Sequence, residues 1–326
     1  MEANPHTTVS RWTTLLRWFD SYTENDDGSK QEGSGVDWLR TIPFVGIHLA
    51  VLAVFWVGWS PVAVWAAVLL YALRMFAITG FYHRYFSHKS FRTSRTLQFV
   101  FGVIGASSVQ RGPLWWAANH RIHHAHADHP EDVHSPLQHG FLWSHMCWFL
   151  SRRHFRTPLE KIQDFSRFPE LRFLDRYDVV VPTLFGISVF LFGEVLAYVR
   201  PDLGTNGWQM LVWGFVISTV VLYHMTFTIT SLAHRVGHRR YDTPDSSRNH
   251  FILALLTFGE GWHNNHHFYP SSARQGFRWW ELDLTYYILR VFQLMGLIWE
   301  VRPVPAKVLQ PLSPQSVKNA DRQKVV

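Results

Sequence analysis

Long runs of apolar residues, each broken by a short polar connection, dominate the first two thirds of the chain. "TIPFVGIHLAVLAVFWVGW" from Thr41 gives about nineteen nearly uncharged residues. At about 1.5 Å per residue that crosses a hydrocarbon core of about 30 Å. After the Ser60-Pro61 turn, "VAVWAAVLLYALRMFAITGF" predicts a second crossing helix, interrupted only by Arg74, so the two form a membrane hairpin. "VVVPTLFGISVFLFGEVLAYV" from Val179 and "WQMLVWGFVISTVVLYHMTFTITSLA" from Trp208 predict two more. The spans fall at about 41–59, 61–81, 179–199 and 208–233. The fold class this implies is all-α: a polytopic membrane protein with four transmembrane helices.

Two further apolar stretches do not fit a crossing. "LQFVFGVIGASSV" from Leu97 is too short and reads as a core or re-entrant helix. "WWELDLTYYILRVFQLMGLIW" from Trp279 contains Glu281, Asp283 and Arg290. Three charges in lipid are expensive, so it reads as a cytosolic helix resting on the protein or the interface.

The flanks differ in character. In residues 1–40, "SRWTTLLRWFD" puts Trp12, Leu15, Leu16 and Phe19 on one helical face, with Arg11 and Arg17 at its border. That suits either a helix lying in the membrane interface or a short helix packed on the protein itself. "TENDDGSKQEGSGVD" reads as a flexible linker, and no apolar core precedes a small-residue cleavage site, so a signal peptide is not expected. The whole segment looks like a dispensable extension to a membrane domain over 41–303, and 304–326 reads as a disordered tail.

Charge orients the spans. The stretch from Arg84 to Arg176 carries thirteen Lys and Arg, whereas the two short connections on the other side carry one. The positive-inside rule places that stretch and both termini in the cytoplasm of a bacterial cell, or facing the cytosol from the endoplasmic reticulum if the source is eukaryotic. The net charge of +7 by itself suits nucleic acid, an anionic membrane face or a phosphate-bearing substrate. With the cations gathered beside the spans, no nucleic-acid partner is expected. A single cysteine, Cys147, excludes a disulfide framework, a cysteine-ligated zinc ribbon and a cysteine-bound iron–sulfur cluster. A metal would be held mainly by nitrogen or oxygen.

Nitrogen is abundant. Of twenty histidines, nine fall in a pattern: His83 and His88 in "HRYFSH", His120, His123 and His124 in "HRIHH", His234 in "SLAHRVGH", and His263, His266 and His267 in "HNNHH". All stand just beyond the ends of apolar segments. In H-x-x-H-H the three positions lie within about 60° of one another on a helix, so two such triplets on facing helices present six imidazoles inward. His83 and His88 are about 140° apart by the same arithmetic, so they serve different metals or sit where the helix unwinds. Nine nitrogens are too many for one ion and suit two. His6, His48, His154 and His250 fit no pattern, and the cluster of His126, His129, His134, His139 and His145 is ambiguous, with supporting or solvated roles expected for most of it.

The order HRYFSH, WAANHRIHH, SLAHRVGH and GEGWHNNHH resembles the membrane fatty-acyl desaturases, particularly the stearoyl-CoA (Δ9) type, over roughly Pro43 to Pro303. The resemblance implies a cytosolic helical cap with a di-iron centre held by those nine histidines. That centre would use O2 and two electrons to remove two hydrogens from a saturated acyl chain, most often at Δ9 of an acyl-CoA or an acyl-lipid. It also implies that Thr230, standing where the family's N-S-x-x-H motif has Asn, contacts one iron through water. Gln110, Arg111, Trp116 and Asn119 match the segment that holds the acyl-CoA head group in that family. Trp262 flanks a histidine motif where it could line an acyl tunnel, and Asp128 and Glu260 are candidates for orienting imidazoles. No haem or cluster motif is present, so a separate electron donor is expected, and the resemblance implies a cytochrome b5 or a ferredoxin with its reductase.

Two rivals share these features. A fatty-acyl or alkyl hydroxylase would use the same metal site. A histidine-rich metal transporter should carry grouped ligands near the bilayer midplane, whereas His48, Arg74, Glu194 and His224 look isolated there.

Overall fold

The structure is a computed structural model that describes residues 35–310 together with 16 and 18–22. The Trp12–Leu15 part of the amphipathic segment, most of the linker and the chain after residue 310 lie outside the described residues. The described residues are mostly helical, and among them the strands form one two-stranded antiparallel pairing, β1 (Arg92–Thr93) with β2 (Ile298–Trp299). Among the described residues, four helices are long and apolar enough to cross a membrane: Arg40–Val57, Pro61–Ser87, Val180–Val199 and Gly207–His234. The Trp279 stretch is not among them. Glu281 and Asp283 precede the helix Leu284–Leu294, Asp283 capping its N-terminus by accepting from the Tyr286 N–H, and Arg290 lies within it.

The second and fourth spans are longer than the apolar runs suggested, at 27 and 28 residues. At 1.5 Å per residue each exceeds the hydrocarbon thickness by about 10 Å, so both continue into the cap and carry His83 and His234 there. The second span also changes its winding. From Ala77 to Ser87 it is a π-helix with all eleven residues buried. Bonds from residue i to i+5 close its turns, and the His88 N–H bonds the His83 carbonyl at 3.2 Å. Residues five apart therefore stack, which puts His83 and His88 on one side. Of the two arrangements the sequence allowed, the one in which the α-helix gives way is the one found.

The core surrounds this π-helix. Helix α1 (Arg95–Ala106), the short apolar run, packs along it, with Phe81 and Phe101 stacked at 3.9 Å. Gly105 permits that approach, since a Cβ there would lie 2.1 Å from the Tyr82 ring. Helix α2 (Pro113–His126) packs on the π-helix too and carries the HRIHH motif; α3 (His263–Phe268) carries HNNHH, and α4 (Leu284–Leu294) packs behind. Buried Arg84 pins these layers together, pairing with Glu260 at 3.1 Å and Asp283 at 2.9 Å and donating to the Ala273 carbonyl. The first span is the exception, with only 6% of its residues buried in the protein.

Candidate metal centre and acyl cavity

The nine histidines converge on two points. His83, His88, His120, His124 and His266 form one group, and His123, His234, His263 and His267 the other, with the facing nitrogens in each within 4.8 Å of one another. Each H-x-x-H-H triplet is split between the two. His120 and His124 point to the first and His123 to the second; His266 points to the first and His263 and His267 to the second. All nine present Nε2 inward, at 2.8 Å for His88–His120, 3.0 Å for His83–His266 and 2.9 Å for His124–His266. In the second group His123–His267 is 3.3 Å and His234–His263 is 3.1 Å. Two ligands at about 2.0–2.1 Å from one ion stand about 3.0 Å apart at a right angle and about 3.4 Å apart at a tetrahedral one, so these spacings fit coordination.

Carboxylates hold four of the rings from behind. Glu260 meets His83 Nδ1 at 2.6 Å, Asp132 meets His123 Nδ1 at 2.9 Å, Asp245 meets His267 Nδ1 at 2.9 Å, and Asp128 stands 3.5 Å from His234 Nδ1. A carboxylate only accepts, so in the neutral rings it bonds, Nδ1 carries the proton and the Nε2 lone pair points into the cluster. The sequence named Asp128 and Glu260 for this role. It missed Asp132, Asp245 and also Gln275, whose Nε2 donates to Glu260 Oε2 at 2.9 Å. Only the "ED" of "HPEDVH" offered a local hint of Asp132; Asp245 and Gln275 arrive through long loops.

Electrostatics follow. Burial first, and then the neighbouring imidazoles, hold His88, His120, His124, His263 and His266 well below the ordinary range. Burial lowers His267 to about 4 against the pull of Asp245. At His123 burial opposes but Asp132 prevails, and the ring is raised. Despite their burial, Asp132 and Asp245 stay well below the usual carboxylate range because the imidazoles face them. The six lowered rings favour the neutral form, in which each offers a lone pair, and the carboxylates back the cluster with negative charge, which favours a cation at each point.

Glu260 owes its place to the preceding turn. Gly259 has φ +120°, and a Cβ there would sit 2.5 Å from Asp283 Oδ1. Helix α3 is fixed by Asn264, which accepts from the Arg240 and Tyr241 N–H groups at 2.8 Å each.

Beside the metal points lies an apolar cavity of about 420 Å³, within the range for a ligand site. Gln110, Arg111, Trp116 and Asn119 line it, as does Thr230. A smaller space of about 70 Å³ continues it, sharing Trp116, His120, His134, Thr226 and Thr230 and reaching His83, His123 and His263. At this junction a polar girdle crosses the apolar wall, with Gln110 Nε2 donating to Thr226 Oγ1 at 2.9 Å and Trp116 Nε1 to Gln110 Oε1 at 3.4 Å. Buried His134 lies there too, with its ring 4.4 Å from His123 and 5.1 Å from Trp148.

Trp262 sits otherwise than the sequence suggested, and Arg111 and Thr230, though they line the cavity, already have partners within the protein. Trp262 lines neither space; it is buried at the start of α3, its indole N–H donating to the Leu282 carbonyl at 2.8 Å. Arg111 is engaged, paired with Asp178 at 2.6 Å and lying 3.7 Å over the Phe155 ring, on which Arg40 lies at 3.2 Å. The Thr230 hydroxyl donates toward backbone carbonyls, those of Ser144 at 3.0 Å and Phe227 at 3.1 Å. The described part of the extension packs on the protein. Trp18, Phe19 and Ser21 line the cavity mouth, with Asp20 on Arg176 and Tyr22 on Asp175 as anchors.

The fatty acid desaturase family model matches residues 58–299. The chain belongs to the fatty acid desaturase family. Among curated relatives it is 36% identical over 271 residues to the sn-1 stearoyl-lipid 9-desaturase of Anabaena variabilis, covering 82% of this chain and 94% of that protein. It is 33% identical over 303 residues to the acyl-CoA 5-desaturase AL21 of Anemone leveillei, covering 89% of each. The sn-2 palmitoyl-lipid 9-desaturase of a Nostoc strain is 33% identical, with 82% and 91% covered. Acyl-CoA and acyl-lipid enzymes thus match this desaturase about equally.

Proposed function

We propose that the protein desaturates a saturated fatty acyl chain near its middle, with two iron ions held by the nine histidines. The observation that carries this is the convergence of five and four Nε2 atoms on two points beside an apolar cavity. The balance is one –CH2–CH2– unit, O2, two electrons and two protons going to one –CH=CH– unit and two waters. Breaking an unactivated C–H bond is beyond acid–base side chains, so iron when bound supplies the oxidising power and the protein supplies position.

The chain's own residues do the rest. The carboxylates of Glu260, Asp132, Asp245 and Asp128 fix the imidazoles with lone pairs inward. The apolar cavity strips water from the acyl chain, and the Gln110–Thr226–Trp116 girdle marks where it meets the metal points. Arg111, Arg40 and Phe155 form the mouth, where the carrier's head group would rest. The acyl carrier is CoA or a membrane lipid, and the electrons come from a separate cytochrome b5 or ferredoxin. The metal points face the cytoplasm, as the run of basic residues beside them supports.

Expression in a desaturase-deficient cell tests this. New cis double bonds, located by mass spectrometry in the CoA and lipid fractions separately, are the expected result, with His124→Ala inactive. A hydroxylated chain without alkene would favour the hydroxylase, and full activity of His124→Ala would defeat the ligand set.

A further inference from the structure

Away from the metal points, three more histidines meet inside the membrane domain. His48 stands midway along the first span, His224 lies in the fourth, and His145 lies in the Trp143–Cys147 turn of the cap. The sequence made His48 and His224 look isolated, but their Nε2 atoms are 3.3 Å apart. His224 Nδ1 is in turn 3.1 Å from His145 Nε2. The series ends in backbone and hydroxyl groups: His48 Nδ1 is 2.6 Å from the Phe44 carbonyl, and His145 Nδ1 is 2.9 Å from Ser231 Oγ.

The Phe44 carbonyl sets the proton positions. A carbonyl only accepts, so His48 carries its proton on Nδ1 and offers a lone pair at Nε2. His224 then donates from Nε2 and accepts at Nδ1, and His145 donates from Nε2, its Nδ1 facing the Ser231 hydroxyl, whose one proton is shared between that nitrogen and the Phe227 carbonyl at 2.7 Å. Both histidine–histidine contacts are thus made with neutral rings and with the ring donors running the same way. No single point lies within reach of three of these nitrogens, because His224 faces its neighbours with different atoms. That makes the arrangement a hydrogen-bonded strut rather than a metal site.

The strut ties together three elements that wall the acyl cavity. Phe44 and Ile47 come from the first span, Tyr223 and Phe227 from the fourth, and Phe149 from the segment after His145. These rings close on one another around it, Phe44 stacking with Tyr223 at 5.8 Å and meeting Phe149 edge-on at 5.5 Å. The first span is only 6% buried, and its other polar ties lie at its ends, where Gln209 donates to the Val57 carbonyl at 2.9 Å and the Asp37 N–H to the Leu150 carbonyl at 2.8 Å. In lipid, where no hydrophobic force drives helices together, polar contacts between helices are a principal means of association.

We propose that His48, His224 and His145 are positioning residues that hold the first span as a wall of the acyl cavity, and so fix the depth at which the chain stops. The inference rests on reading that cavity as the acyl site. It predicts loss of grip and of positional fidelity, with the metal points untouched.

The test uses the full chain in nanodiscs with a ferredoxin and its reductase. Stearoyl-CoA is added to one set, and a stearoyl phospholipid is mixed into the other at varied mole fraction. His48→Phe and His224→Phe should each raise KM about five- to tenfold and spread the product over more than one double-bond position. Iron per chain and kcat at saturation should stay near the unaltered protein's values. The double variant should be no worse than His224→Phe alone, because both remove the same strut. His224→Gln, which can still donate and accept, should recover much of the fidelity and serves if the Phe variant does not fold. Effects that multiply in the double variant, or unchanged KM and product position, would overturn the strut. An unaltered protein that makes no alkene from either substrate would overturn the desaturase reading itself.

Discussion

Replacing Asp132 with Asn separates the two metal points. Asp132 is fully buried, and its Oδ2 accepts from His123 Nδ1 at 2.9 Å and from the Asp128 N–H at 2.9 Å, while Oδ1 accepts from the His134 N–H at 3.3 Å. An Asn oxygen placed at Oδ2 keeps the first two bonds, but its amide then confronts the His134 N–H. The charge is lost in either orientation. A hydrogen bond to a charged group contributes about 1.5–3 kcal/mol, and a neutral one about half of that. The loss at His123 is therefore about 0.8–1.5 kcal/mol, or about four- to thirteenfold in affinity, before the altered field at the ion is added. Loss of such a partner typically weakens metal binding about 10–100-fold. Only the second point should suffer, because the first is backed by Glu260. Iron per chain, measured by mass spectrometry during titration with a chelator, should fall from two toward one at a chelator concentration that leaves the unaltered protein full. Loss of both ions together, or of neither, would refute the assignment of Asp132 to one point.

Three further outcomes are expected. Arg84→Ala leaves Glu260 and Asp283 buried without their cation; breaking such a network costs about 3–5 kcal/mol, so no monodisperse protein should be recovered, whereas Arg95→Ala, which breaks an exposed pair with Glu170, should behave normally on gel filtration. Gly105→Ala forces a methyl against Tyr82, an overpacking cost of about 1–3 kcal/mol, read as a lowered thermal midpoint in detergent. Trp262→Phe should lower that midpoint by the loss of one bond to Leu282, about 0.5–1.5 kcal/mol, and leave KM for the acyl substrate unchanged; a raised KM would return Trp262 to the cavity wall.

Particular residues show how far the sequence could be read. The nine histidines were legible because each motif is local: a spacing of three and four on a helix is a statement about one face. His83 and His88 were harder, because their spacing of five makes one face only on a π-helix, and no residue in "AITGFYHRYFS" announces that winding. Asp128 and Glu260 could be named because they adjoin motifs; Asp132 stands eight residues from His124, and Asp245 twenty-two from His267. Trp262 misled for the opposite reason, since its neighbour His263 faces the metal point while its own ring turns into the packing behind α3.

Hydropathy determined the four spans without help, because a 30 Å slab of hydrocarbon imposes a length and a composition on any helix that crosses it. Local spacing likewise determined which imidazoles could act together. Only the tertiary structure decided how the two triplets divide between two metal points, since each helix presents its three rings to both and the facing element chooses. It also decided that His48, His145 and His224, from three separate elements, form one hydrogen-bonded series. A contact across 79 or 176 residues leaves no period in the sequence; it exists only because folding brings those groups out of water together, where each must find a partner.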